Sequence, residues 1–383
     1  MGLEPQRTSI LSPLERFAKR SLIGWCEPLF GKAEVHPGAV GEARPRRILV
    51  IRQHDQLGDF LLSTPALRAL RHCYPEARIA LVVREYFAGA AALIPFVDEV
   101  LVFHEDALRW SAGSFRGFWR ALRSGWDLTI VLNTVSHSLT SDMLAHLSRA
   151  AIVLGSAERP FPGSSRNFFY SLNAPAAAGV RHQSERNLDI LRYAGCSTDD
   201  LREELRVPGA EREAVLTDIA SRGRDGAGPI IGFHIGAGKP VNRWPVERFV
   251  ELATLLAERS HARILLFWGP AESDLKSAFV ARARSGAELI GHPPIARLAA
   301  YFAACDAVVC NDTGVLHLAA AVGARTLGLY GWTNQAEWKP AGDHVAGLSG
   351  GPDGVNGITV DAAAGALQEL LGRRIGAAAP DHH

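Results

Sequence analysis

Short apolar runs, each ending in a polar loop that opens a helical stretch, constrain this chain more than any other feature. Ile48–Ile51 is such a run, followed by the polar loop Gln53–Asp59 and a helical pattern from Phe60 to Cys73. Ile79–Val83, Glu99–Phe103 and Leu128–Leu132 repeat the strand signal, with a helix predicted near Phe115–Ser124. Four-to-six-residue runs of this kind suit strands buried on both faces, and alternation with helices implies a parallel sheet wrapped on both sides. The pattern restarts after a polar, glycine-containing stretch near Gly223–Gly228. Strands are predicted at Pro229–His234, Arg263–Trp268, Ala307–Cys310 and Thr326–Tyr330, and helices at Val246–Glu258, from about Glu272, at Ile295–Ala304 and at Val315–Val322. Two such halves imply an α/β chain of two Rossmann-like domains facing each other across a cleft. The expected division is 1–46 as extension and linker, 47–225 as the first domain and 226–383 as the second.

Composition excludes some classes. Lys and Arg total 41 against 40 for Asp and Glu, a formal net charge of +1. That balance argues against nucleic acid, whose binding depends on concentrated positive charge. No apolar run approaches the roughly 20 residues that span a bilayer, and the polar start is no secretory signal. A cytoplasmic protein is expected. Five scattered cysteines, without a C-x-x-C pair or a zinc-like His cluster, read as small buried hydrophobes in a reducing compartment. Residues 1–46 carry Leu14, Phe17, Trp25 and Leu29 beside Arg16, Lys19 and Arg20. This extension suits either packing on the body of the protein or peripheral contact with an anionic membrane.

Polar motifs fall where open α/β sheets bind ligands, beyond the carboxyl ends of strands. In Asp55-Gln56-Leu57-Gly58-Asp59, Gly58 allows a close backbone approach. Asp59 is either a helix cap or a base that takes a proton from an attacking hydroxyl, and the helix dipole is expected to keep it ionised. In Asn311-Asp312-Thr313-Gly314-Val315-Leu316-His317, a helix N-terminus offers backbone N–H groups to phosphate. Thr313 and His317 can join that anion site. The plainer alternative has Asp312 or Thr313 capping the helix and His317 in the core. His234–Lys239 is a glycine-rich loop near Arg243; it can cradle phosphate or simply be a long turn. Glu272, at another strand end, can bind ribose hydroxyls or favour a helix N-terminus.

In this order the segments resemble glycosyltransferase family 9, the heptosyltransferases of lipopolysaccharide core assembly. The resemblance runs from about Arg47 to Gly331. It rests on Leu57–Leu70, Arg243–Phe249, Trp268–Glu272 and, most diagnostically, Asn311–Ala321. It implies a GT-B fold and inverting, metal-independent transfer from an ADP-activated heptose to a lipid-linked saccharide at the inner membrane face. It further implies Asp59 as base, diphosphate contacts from Thr313, Gly314 and His317, and a nucleoside contact from Glu272. One departure stands out. The family usually has a Lys two residues before Trp244; here Asn242 occupies that position, with Lys239 and Arg243 near enough to substitute. Two alternatives remain: another nucleotide sugar with a glycan or protein acceptor, and a non-catalytic sugar-nucleotide-binding assembly protein. A nicotinamide enzyme is disfavoured, since no G-x-G-x-x-G follows the first strand.

Overall fold

The computed structural model describes residues 27, 30–53, 55–158, 166–222, 228–283 and 286–372. The first half comprises β1 (Arg47–Ile51), α1 (Leu57–Leu61), α2 (Thr64–Cys73), β2 (Arg78–Arg84), β3 (Glu99–Phe103), α3 (Ala112–Leu122), β4 (Leu128–Val131), α4 (Leu139–Leu147), β5 (Ile152–Ser156), β6 (Leu172–Ala174) and α5 (Gln183–Arg192). Helix α6 (Gly209–Ser221) leads to the second half. There follow β7 (Ile230–His234), α7 (Val246–Ser260), β8 (Arg263–Phe267), α8 (Ser273–Arg282), β9 (Glu288–Gly291), α9 (Ile295–Ala304), β10 (Ala307–Asn311), α10 (Gly314–Ala321), β11 (Thr326–Tyr330), β12 (Val345–Ser349) and α11 (Val360–Gly372).

Each half is built on a six-stranded sheet whose strand pairs are all parallel. Their orders are β3-β2-β1-β4-β5-β6 and β9-β8-β7-β10-β11-β12. The two halves therefore share one winding, the doubly wound order in which the crevice opens where the strand sequence reverses. That point lies between β1 and β4 in one sheet and between β7 and β10 in the other. The two-domain α/β reading of the sequence is correct.

Three apolar clusters hold this arrangement. One lies within each half, around Phe118 and Trp126 in the first and around Trp244 and Phe249 in the second. The third is continuous across both, joining Leu57, Phe60 and Ile48 to Leu316, Leu318 and Tyr330.

Several details depart from the sequence reading. The single helix expected over Phe60–Cys73 is two, α1 and α2, parted at Leu62–Ser63. Pro65 lacks the N–H that a continuous helix needs, and the Thr64 hydroxyl instead donates to the freed Leu61 O at 2.8 Å. Strands β5, β6, β9 and β12 were not anticipated; β6 has only three residues, and β9 is half exposed and carries Glu288. Cys73 and Cys196 are not separate hydrophobes: a disulfide joins them across 123 residues, because the end of α2 meets the turn after α5 with Cα atoms 5.6 Å apart. Cys305 and Cys310 are buried and free, as expected.

The described part of the extension packs on the body. Lys32 N donates to Phe168 O and Val35 N to Ser171 O, both at 2.9 Å. Residues 1–26, on which most of the membrane expectation rested, lie outside the described residues, as do 223–227. Among the described residues no helix is long and apolar enough to cross a membrane.

Candidate functional site

The loop after β1 is fixed by ions. Arg52 is fully buried at the strand end; its guanidinium donates to Asp55 Oδ2 at 2.8 Å and to the Asp59 main-chain oxygen at 2.9 Å. Ser136, from the loop after β4, donates to Asp55 Oδ1 at 2.6 Å, and Arg84 at the end of β2 donates to the Asp55 main-chain oxygen. These bonds hold Asp55 at φ +74°, a left-handed conformation that costs a non-glycine residue energy.

Asp59 is the third residue of α1, and its Oδ2 accepts the Gln56 N–H at 2.9 Å. The capping reading is thus right for one oxygen. The other, Oδ1, takes no hydrogen bond among the described residues. Burial raises the carboxyl pKa above the ordinary aspartate value, against the Gln56 hydrogen bond and the charge of Arg52. Loss of water on burial is the largest influence on this carboxyl, and it brings the carboxylate closer to the basicity a proton acceptor needs.

The second motif caps α10. Thr313 Oγ1 accepts the Val315 N–H at 3.3 Å, and Asp312 Oδ2 accepts the Thr333 hydroxyl. His317 is 4% exposed, and its Nδ1 pairs with Glu203 Oε1 at 2.7 Å. Burial works against its charge, yet Glu203, Asp312 and Asp59 together raise its pKa above the ordinary histidine value. The capping and core readings of Thr313 and His317 both hold, but the core reading leaves their position unexplained. A Cβ on Gly58 would come within 2.8 Å of His317 Cδ2, and one on Gly314 within 2.7 Å of Leu57 Cβ. Helices α1 and α10, one from each half, thus touch through two glycines, and the two motifs meet there.

The glycine-rich loop after β7 is braced from beneath. Asn311 Nδ2 donates to the carbonyls of Ile235 and Gly236 at 3.0 and 3.1 Å, while its Oδ1 accepts the Trp244 N–H at 3.0 Å. A Cβ on Gly236 would overlap Glu272 Oε2, at 1.6 Å. That same oxygen accepts the Gly269 N–H at 2.6 Å. Arg243 Nε donates to Ala237 O at 2.8 Å, and its Nη2 lies 4.0 Å from Glu272 Oε1. Arg243 and Glu272 therefore support the loop, whereas Lys239 is exposed at its lip. The Asn242 side chain lies toward Gly331, at the end of β11.

Sequence reasoning missed Arg52, Ser136 and Glu203. Arg52 had a signal, a cation ending an apolar strand. Glu203 had none, because Asp199-Asp200-Leu201-Arg202-Glu203-Glu204 reads as an ordinary charged surface. A recess of about 260 Å³ also opens at the carboxyl ends of β2 and β3, lined by Arg84, Tyr86, Phe103, Glu105 and Asp106 among others. Arg84 connects it directly to the Asp55 loop.

Comparisons with known proteins agree with this geometry. The sequence profile described as glycosyltransferase family 9 (heptosyltransferase) matches residues 115–353, more than half of the chain. The chain is 29% identical over 298 residues to lipopolysaccharide heptosyltransferase 1 of Pseudomonas aeruginosa, covering 75% of this chain and 79% of that one. It is 26% identical over 305 residues to lipooligosaccharide heptosyltransferase 2 of Haemophilus influenzae, covering 75% and 84%. Among solved structures, a family 9 glycosyl transferase from Veillonella parvula superposes with a TM-score of 0.75 at 23% identity, over 85% of this chain and 97% of that one. An E. coli heptosyltransferase solved with ADP gives 0.68 at 23% identity, over 85% and 99%. With two parallel six-stranded sheets in one winding and the motifs meeting at their crevices, the protein is a glycosyltransferase of the GT-B fold and belongs to glycosyltransferase family 9.

Proposed function

We propose that the protein transfers a heptose, or a closely related sugar, from an ADP-sugar to a saccharide of the lipopolysaccharide-core type, with inversion and without a metal. The observation that carries this reading is the meeting of the Asp59 loop with the α10 N-terminus through Gly58, Gly314 and His317. It supports the reading by bringing the Asp59 loop of one half against the N-terminal end of α10 from the other, and the named relatives are lipopolysaccharide and lipooligosaccharide heptosyltransferases.

In this mechanism the acceptor hydroxyl gives its proton to Asp59 Oδ1 as its oxygen bonds to the anomeric carbon. The bond from that carbon to the diphosphate breaks on the opposite face, and ADP leaves with the electron pair. The N–H group of Gly314, the Thr313 hydroxyl and protonated His317 stabilise the charge that develops on the diphosphate. Arg243 is committed to Ala237 O, so Lys239 is the cation with freedom to replace the family lysine absent at Asn242. Glu272 shapes the nucleoside end of the donor site through Gly236 and Gly269. The acceptor enters from the β2–β3 recess on the first half.

Calorimetric titration with ADP, GDP, UDP and dTDP tests the donor. ADP is expected to bind at least tenfold more tightly than the others without added metal. Preference for another nucleotide overturns the heptose donor and retains the fold; binding of none favours the non-catalytic alternative.

A further inference from the structure

From Ala107 to Trp126 the chain carries Arg109, Arg116, Arg120 and Arg123 and neither aspartate nor glutamate, although its formal net charge is only +1. Helix α3 lies within this stretch. Phe118 and Leu122 are buried and seat it against the first half. Arg116, Arg120 and Arg123, spaced i, i+4 and i+7, form one exposed stripe. Between stripe and core lie Phe115, 48% exposed, and the half-buried Trp119, with Arg123 over its ring at 5.5 Å. In the turn before the helix, Leu108 is 93% exposed.

The arginines of the stripe make no ion pair among the described residues. Arg109 differs, since Glu85 pairs with it at 2.7 Å. The carboxylates bordering the stretch turn to the backbone. Asp106 accepts the Leu108 N–H, and Asp127 accepts those of Arg46 and Arg47.

We propose that Leu108, Phe115 and Trp119, flanked by Arg116, Arg120 and Arg123, rest on the surface of an anionic lipid bilayer. Apolar side chains enter the headgroup region while the arginines above them meet the anionic lipids, the arrangement of an interfacial amphipathic helix. Nucleic acid is the poorer occupant, because it has no use for an aliphatic side chain held out in water and favours denser positive charge. The surface adjoins the carboxyl end of β3, where the recess opens. An acceptor held in the bilayer is thereby delivered to the first half. The proposed contact lies on α3 and is separate from the extension, residues 1–46. Its purpose rests on the lipid-linked acceptor of the proposed function, but its test does not.

The test is co-sedimentation of the full chain with phosphatidylcholine vesicles containing 30% phosphatidylglycerol, and with phosphatidylcholine alone. Binding is expected for the anionic vesicles only. At about fivefold per arginine, the triple variant Arg116→Gln, Arg120→Gln, Arg123→Gln should lose about 100-fold in partitioning. Leu108→Ser with Phe115→Ser should lose binding at equal charge. Both variants should keep wild-type affinity for ADP and wild-type turnover of a water-soluble acceptor. Unchanged vesicle binding in either variant overturns the proposal, as does a wild-type chain that ignores vesicles or binds heparin in their place. Loss of transfer with vesicle binding intact would instead fault the proposed reaction.

Discussion

The two halves share one winding but hold their crevice loops by different physics. After β1 the restraint is ionic: buried Arg52 clamps Asp55 and the Asp59 backbone, and Asp55 sits in a left-handed conformation. After β7 and β10 the central restraint is an amide: Asn311 ties two carbonyls and an N–H, and the charged Arg243 and Glu272 brace the loop from its flank. A loop that presents a carboxylate gains from a buried cation behind it. A loop that receives a diphosphate gains from unspent N–H groups at its surface. In the proposed mechanism the same fold thus supplies a base on one side and an anion site on the other.

The sharpest way to break this division is Asp59→Asn. General-base catalysis contributes about 10²–10⁴-fold, so kcat should fall by that range while ADP affinity stays within twofold. Unchanged turnover would remove Asp59 from the chemistry. Next in size is Gly58→Ala, which drives a methyl against His317 and should cost about 1–3 kcal/mol in stability, measured by denaturant unfolding. Because the clash lies where the halves meet, kcat should fall with it; an active, fully stable variant would mean that the contact is dispensable.

The pH profile sharpens the comparison further. Asp59 works ionised and has a raised pKa, so activity should be lost on acidification at a pH above the ordinary aspartate value. In the proposed mechanism His317 binds the diphosphate when protonated, and its pKa is also raised. ADP affinity should therefore be full at low pH and decline only as pH rises through a value above that of free histidine. Glu203→Gln removes the main support of that charge and should move the decline to lower pH, leaving the acid limb in place. A common shift of both limbs would contradict the assignment of one group to each half. The smallest effect is expected at the lip. Lys239→Ala should weaken ADP binding by about tenfold or less, a typical exposed charge contact, and Asn242→Lys should partly restore it.

The sequence made the sheets legible because buried parallel strands need continuous apolar runs, and it made the motifs legible because they stand at strand ends. Asp59, Thr313, Gly314 and His317 were each named before their meeting was visible. What it could not convey were contacts between distant segments. Glu203 reaches His317 from a charged stretch with no periodicity, and Cys73 finds Cys196 only after α2 and α5 pack. Glu272 and Arg243 stand out in the sequence at strand and loop ends, but their support of the loop depends on where Gly236 and Ala237 come to lie. The short edge strands β6 and β9 escaped because a strand with few residues and partial burial leaves little pattern.

The contact of α1 with α10 through Gly58 and Gly314 bears on timing. Under the proposed mechanism, any opening that parts these helices would draw the proton acceptor away from the diphosphate site in the same stroke. Water entering an open crevice would then meet a donor without a base, and the activated sugar would be spared wasteful hydrolysis. The paired glycines would act as a coincidence detector, joining the two halves of the chemistry only when the crevice is shut.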